Sequence, residues 1–487
     1  MNLEWLIQWD KALLIQLNGV HTAWLDPVIR ITSGWINRCL SGILIFLAVA
    51  IVSGCSIRGA TRDNDGIVIV DGTGELSKND SERHVDKMLE QTDSETLTSM
   101  VTDISALSNT PLYKNNHVEL LIDGPETYRS MLAAIEKAKH HIFMETYIFA
   151  DDEAGGKFAS LLARKSTEGI TVKVIYDSLG SMESAEVFFS VMEESGIELI
   201  EFNQVNPIEG GNPFKLNNRD HRKLLVVDNE VAFTGGINLS STYSSQSTGK
   251  PKPRPVDTGW RDTHVAIRGP AVQGFEEIFI KHWQALTEEP IQASPDLPFD
   301  ESSGNELVAI LTANGGDGEG SPIFAAYLDA MEVAQSQIWI TQAYFAPDKN
   351  FMTLLQRAAR RGVDVRILVP GLSDSKLVLN ASRSRYKKLL EAGVRIYETR
   401  NDLLHAKTAV IDHVWSTVGS SNLDYRSFLH NSEINAFILG SGFATQMEEQ
   451  FERDIKNSDE IITSDWQRRS LWSKLGEKLS WTIEYWL

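Results

Sequence analysis

Two stretches of this 487-residue chain carry one spaced pattern, HRKLLVVDNEVAFTGGIN from His221 to Asn238 and HAKTAVIDHVWSTVGSSN from His405 to Asn422. Both read H-x-K-x4-D-x6-G-[GS]-x-N. A single H-x-K on a strand is ordinarily an exposed pair, but six matched positions recurring in two copies require a chain built from two copies of one unit.

The surrounding sequence repeats in step. From His117 apolar strands alternate with helical patterns that end in Gly or Lys, and from Glu306 the same order recurs as ELVAILTA, IFAAYLDAMEVAQ, IWITQAYFAPD, FMTLLQRAARRG and VDVRILVPGLSDS. KAKHHIFMETYIF matches VAQSQIWITQAYF, and ARKSTEGITVKVIYD matches AARRGVDVRILVP. Such alternation predicts α/β units, with a boundary in the Pro- and Ser-containing stretch from Pro290 to Gly304.

Within each motif, residues two apart on a strand share a face, so His221 points with Lys223 and His405 with Lys407, while Asp228 and Asp412 point the other way. The chain then turns at Asp228-Asn229 and Asp412-His413 and runs back, bringing Asn238 and Asn422 beside their His and Lys. An imidazole attacks phosphorus or carries a proton near neutral pH, and Lys and Asn supply charge and hydrogen bonds to phosphate oxygens. One unit offers half a site.

Composition narrows the substrate. A formal charge of -20 repels phosphate backbones and disfavours a nuclease. The only cysteines, Cys39 and Cys55, lie in the N-terminal apolar region, so the body contains neither a disulfide framework nor a thiolate metal site.

The paired motifs resemble the HKD motifs of the phospholipase D superfamily over about residues 113 to 463. LLIDGPETYRSMLAAIEKAKHHI, EFNQVNPI, WRDTHVAIRGPAV and NLDYRSFLHNSEINAFI further resemble bacterial cardiolipin synthases. The resemblance implies two tandem α/β lobes, each a mixed sheet flanked by helices, forming a pseudo-twofold sandwich with one active site that needs no metal or cofactor. It implies His221, Lys223, Asp228, His405, Lys407 and Asp412 as the catalytic set and Asn238 and Asn422 as phosphate-binding. His221 is the expected nucleophile and His405 the acid/base, although the two motifs are nearly equivalent by sequence.

Family members also place a carboxylate downstream of each motif to hold the histidine, and Asp262 and Glu433 fit that role. Glu145 and Gln342, at matching strand positions, either line the pocket or form a buried polar pair. The remaining histidines are read as solvated or capping. The implied reaction transfers phosphatidyl between two phosphatidylglycerol molecules, with hydrolysis, phosphatidylethanolamine as donor, or nuclease activity as alternatives. The implied partners are membrane phospholipids and the membrane surface, with no nucleic acid and a monomeric catalytic unit.

The ends of the chain read as membrane-directed. Residues 1–36 are apolar and interfacial, and 37–57 contain a charge-free run from Cys39 to Ile57 that is either a membrane span or a lipoprotein-type signal ending at Cys55. Residues 58–112, with 11 acidic residues against four basic ones between Thr61 and Asp103, read as a solvated spacer with short helices. The expected lobes are 113–290 and 306–463, joined by 291–305. Residues 464–487 form an amphipathic helix that either meets anionic lipid or docks on the body, and the stretch after Asn238 is a solvated loop or a lid over the site.

Overall fold

The computed structural model describes residues 67–92, 95–107, 111–204, 218–245, 259–291, 304–315, 320–373 and 375–469. The first unit comprises β1 (Leu112–Ile122), α1 (Asp123–Lys137), β2 (His141–Thr146), α2 (Glu153–Thr167), β3 (Thr171–Asp177), α3 (Glu186–Glu194), β4 (Glu198–Phe202), β5 (Leu224–Val227), β6 (Val231–Gly235), β7 (Thr263–Arg268) and α4 (Ala271–Thr287). The second repeats this order as β8 (Glu306–Ala313), α5 (Pro322–Val333), β9 (Gln337–Gln342), α6 (Lys349–Arg361), β10 (Asp364–Pro370), α7 (Lys376–Glu391), β11 (Arg395–Thr399), β12 (Lys407–Ile411), β13 (Trp415–Gly419), β14 (Glu433–Leu439) and α8 (Ser441–Lys456).

Both units have the same topology. The strands run β4-β3-β2-β5-β6-β7-β1 in the first and β11-β10-β9-β12-β13-β14-β8 in the second, each with three parallel strands followed by an antiparallel meander. Strands β1 and β8 pair antiparallel, which joins the units into one mixed sheet. The central strands HIFMET, LLVV, QIWITQ and KTAVI are buried along their whole length, because helices or the other unit cover both faces.

Local signals set the crossovers. Asp152 caps α2 by accepting from Ala154 and Gly155 N–H at 3.0 Å, Asp348 caps α6 through Phe351 N–H at 2.9 Å, and Ser321 caps α5 with Pro322 in the first turn. Helices α4 and α8 pack into one apolar layer that draws side chains from both units, among them Phe143, Phe279, Trp339 and Phe451.

The acid-rich stretch before β1 is not a solvated spacer. Helices Lys78–Thr92 and Glu95–Leu107 lie on the second unit, with Leu97, Met100, Val101, Ile104 and Leu107 buried beside Phe324 and Tyr327. Asp80, Glu82 and Asp86 are exposed, and the apolar residues of Glu95–Leu107 recur every three or four positions, so the charge count concealed an amphipathic helix. Strand Ile69–Asp71 pairs with β1, and the folded body therefore begins by residue 69.

The N-terminal segments 1–36 and 37–57 lie outside the described residues, as do the loop over 246–258, most of the 291–305 linker and the amphipathic pattern from 470 onward. No helix among the described residues is long and apolar enough to cross a membrane. Only the start of the C-terminal segment is described, as helix Thr463–Gln467, where Trp466 is buried against Tyr386.

Candidate active site

His221 lies three residues before β5 and His405 two residues before β12, so the two stand at the same end of equivalent strands. Backbone links across the units then bring the two together. His221 N–H donates to Ser432 C=O at 2.9 Å, Ser432 N–H to Arg219 C=O at 2.8 Å, and His405 N–H to Arg261 C=O at 2.8 Å. Short parallel contacts, Asp220 with Ser432 and Leu404 with Arg261, repeat the same join on either side of the pseudo-twofold axis.

Each imidazole is held by a carboxylate from the other unit. Glu433 approaches His221 Nδ1 with both oxygens at 3.0 Å, and Asp262 Oδ2 lies 2.8 Å from His405 Nδ1. Asp262 and Glu433 therefore support the opposite motif from the one they follow. Pinning Nδ1 leaves Nε2 of each ring for chemistry. Ser420 donates to Glu433 and Asn431 Nδ2 donates to it at 3.3 Å, while Thr263 N–H donates to Asp262 Oδ1 at 2.7 Å.

The lysines are equally constrained. Lys223 Nζ donates to His221 C=O at 2.7 Å and Lys407 Nζ donates to His405 C=O, which folds both ammonium groups back beside the histidines. Asn238 Nδ2 donates to Tyr243 Oη at 2.9 Å, and Tyr243 Oη lies 3.4 Å from His405 Nδ1. Asn422 is also buried, and its Oδ1 has no hydrogen-bond partner among the described residues.

Electrostatics distinguish the two halves. Burial, followed by Lys223, Lys407, His405 and Arg426, pushes the His221 imidazole well below its usual range. Burial likewise lifts Glu433 to about 7, against Lys223 and its hydrogen-bond donors. Burial would also raise Asp262, but His405 and Lys407 hold it below the usual carboxylate range. Burial, reinforced by Lys407, lowers His405, against the pull of Asp262. His405 thus faces an ionised carboxylate that stabilises an imidazolium, and His221 sits in the half that favours a neutral ring. Burial also draws Lys223 down to about 7.

The structure does not bring Asp228 and Asp412 to this centre. Asp228 accepts backbone N–H groups of Lys139, His140 and His141 at 2.6, 2.8 and 2.8 Å, and Asp412 accepts those of Gln335, Ser336 and Gln337 at 2.8, 2.8 and 2.9 Å. Each sits in a tight turn with positive φ at two successive residues, Asp228-Asn229 and Asp412-His413. Their place in the motif is physical: they clamp the entry of β2 and β9 to the hairpin that carries His and Lys. Their role is structural.

Several neighbours went unread in the sequence. Tyr147 stands edge-on to His221 with centroids 5.1 Å apart, and Trp260, Tyr243 and Tyr344 surround His405 at 5.1, 5.7 and 6.4 Å. The signal was available in the aligned copies, where Y-I in TYIF faces A-Y in QAYF. The other histidines are not uniformly solvated or capping: His141 and His264 are buried, and His282 Nδ1 lies 2.6 Å from Glu145. Glu145, Asp220 and His282 are close enough to hold a metal ion, but the Arg222 guanidinium already donates to Glu145 at 3.2 Å and supplies a cation there.

The family described as "Cardiolipin synthase, PLD-like domain" matches residues 131–248 and 327–455, and each match contains one histidine motif. Cardiolipin synthase 2 of Bacillus cereus is 36% identical over 359 residues, 73% of this chain and 68% of that protein. Cardiolipin synthase of Alkalihalophilus pseudofirmus is 33% identical over 381 residues, 77% of this chain and 73% of that protein. Among solved structures, phosphatidylserine synthase of Haemophilus influenzae matches with a TM-score of 0.55 over 76% of this chain and 95% of that one, at 14% identity, a likeness of fold.

Proposed function

The chain belongs to the phospholipase D-like cardiolipin synthase family, and from that membership we propose that it transfers phosphatidyl from one phosphatidylglycerol to the free glycerol hydroxyl of another, giving cardiolipin and glycerol. The observation that carries this reading is the reciprocal pairing of His221 with Glu433 and His405 with Asp262, which gives one pocket two imidazoles in different electrostatic settings.

In this mechanism neutral His221 attacks the donor phosphorus through Nε2, and the phosphorus–oxygen bond to glycerol breaks. Protonated His405 gives its proton to the departing glycerol oxygen. His405 then takes the proton from the hydroxyl of the second phosphatidylglycerol, whose oxygen displaces His221 from phosphorus. Lys223 and Lys407 neutralise the non-bridging oxygens, with Asn238 and Asn422 behind them. The energy of the donor ester bond is kept in the phosphohistidine, so no nucleotide is consumed.

In this reading the catalytic unit is a monomer, with both half-sites supplied by one chain. Its division into units 113–290 and 306–463, with 291–305 between them, is part of the same reading. The charge-free run in 37–57 supports attachment to a bacterial membrane, by a spanning helix or by lipidation at Cys55.

The test is to incubate purified full-length protein with phosphatidylglycerol vesicles in EDTA and resolve lipids and released glycerol. Cardiolipin and glycerol in equal amounts are expected. Phosphatidic acid as the main product would make the protein a hydrolase, and absence of turnover, or loss of it in EDTA, would overturn the mechanism.

A further inference from the structure

The duplication places corresponding residues around the two histidines, and there its symmetry breaks. Contacts Phe149 with Leu239 and Phe345 with Leu423 align the two copies through the strand ends and motif turns. By that register Tyr147 corresponds to Ala343, Ile148 to Tyr344 and Tyr243 to Ser427. The Asp220–Ser432 and Leu404–Arg261 contacts likewise align Trp260 with Asn431. Three rings therefore stand around His405, where the counterparts near His221 are Ile148, Ser427 and Asn431. Among the described residues the ring that stands against His221 is Tyr147.

We infer that Trp260, Tyr243 and Tyr344 form the alcohol subsite, which receives glycerol as it leaves and the glycerol headgroup of the acceptor lipid as it enters, and which disfavours water. This rests on the phosphatidyl-transfer reading above. Displacement in line at phosphorus puts the leaving and entering oxygens opposite the nucleophile, hence beside His405. Glycerol presents C–H faces that pack on aromatic rings and hydroxyls that meet Tyr O–H and indole N–H groups, whereas water gains nothing from a ring. Trp260 and Tyr344 are partly exposed, while Tyr243 is buried and its Oη accepts from Asn238 Nδ2. The subsite thus sets the partition between transfer and hydrolysis: both half-reactions pass the same wall, and an acceptor seated there keeps water from the phosphohistidine.

The test uses full-length protein with phosphatidylglycerol vesicles. It compares wild type with Trp260→Asn, the residue at the equivalent place in the other half, with Trp260→Phe, and with Tyr344→Ile. Two quantities are read: the cardiolipin-to-phosphatidic acid ratio, and the KM for radiolabelled glycerol incorporated into phosphatidylglycerol by reverse transfer. Loss of one ring contact predicts a ratio lowered at least about fivefold and a glycerol KM raised about as much in Trp260→Asn, with Trp260→Phe within about twofold of wild type. Tyr344→Ile moves both quantities the same way and stands in if Trp260→Asn does not fold. Variants that turn over more slowly with ratio and glycerol KM unchanged would make the rings structural and overturn the subsite, while wild type still forming cardiolipin would leave the transferase reading standing. Wild type that consumes no phosphatidylglycerol would overturn both.

Discussion

Asp262→Asn isolates the contribution of one carboxylate without changing its volume. In the native protein Thr263 N–H donates to Oδ1 at 2.7 Å, and Oδ2 faces His405 Nδ1 at 2.8 Å. The amide oxygen of an asparagine must take the Oδ1 position, since its NH2 group there would oppose the Thr263 N–H. That forces the NH2 toward His405, where it donates to Nδ1 and pushes the ring proton to Nε2. A ring in that tautomer cannot accept the acceptor's proton, and the imidazolium that releases glycerol loses its negative partner. Loss of both roles predicts a fall in kcat of about 10³ to 10⁴, equivalent to roughly 4–5.5 kcal/mol of barrier. The equivalent change at Glu433 is milder, because Ser420 Oγ can accept from a glutamine NH2 and leave its oxygen facing His221. The assay is initial-rate cardiolipin formation from phosphatidylglycerol vesicles, with circular dichroism to verify folding. An Asp262→Asn enzyme retaining more than about a tenth of wild-type kcat would refute this reasoning.

Three further outcomes follow from the geometry. Asp228→Ala, which strands three backbone N–H groups, should lower unfolding stability by about 2–4 kcal/mol in urea, and any activity loss should track the folded fraction. Ile104→Ala should cost about 3 kcal/mol in the same measurement if helix Glu95–Leu107 is part of the core, and close to nothing if that region is a spacer. The kcat/KM profile should peak near neutral pH: Glu433, raised to about 7, gains a proton as pH falls and stops holding His221, while Lys223, lowered to about 7, loses its charge as pH rises. Glu433→Gln should remove the acid limb and leave the alkaline one, and an unchanged acid limb would point to another group.

The sequence made the duplication visible because strand periodicity and motif spacing are local, and the His/Lys pairs follow directly from them. The pairing of each histidine with its carboxylate was not visible. His221 and Glu433 are 212 residues apart, and His405 and Asp262 are 143 apart, so the crossing depends on how the two units meet. Asp228 and Asp412 look catalytic in a spaced pattern because a residue that fixes a turn recurs as regularly as one that does chemistry. Residues 95–107 are hidden for a different reason: net charge averages over a helix and masks the face that is buried. The aromatic wall at His405 lies in positions where the two copies differ, which a comparison based on their agreement passes over.

The proposed transfer of phosphatidyl through His221, in one pocket built from both units, can be caught by trapping the adduct in a His405→Ala enzyme with a phosphatidyl ester of p-nitrophenol as donor. Nitrophenol leaves without a general acid, so attack proceeds while the acceptor step stalls. The expected result is a burst of about one nitrophenolate per active site and a phosphatidyl adduct on the peptide containing His221, absent when His221 is also replaced by alanine. An adduct on any other residue, or turnover continuing in the double variant, would contradict it.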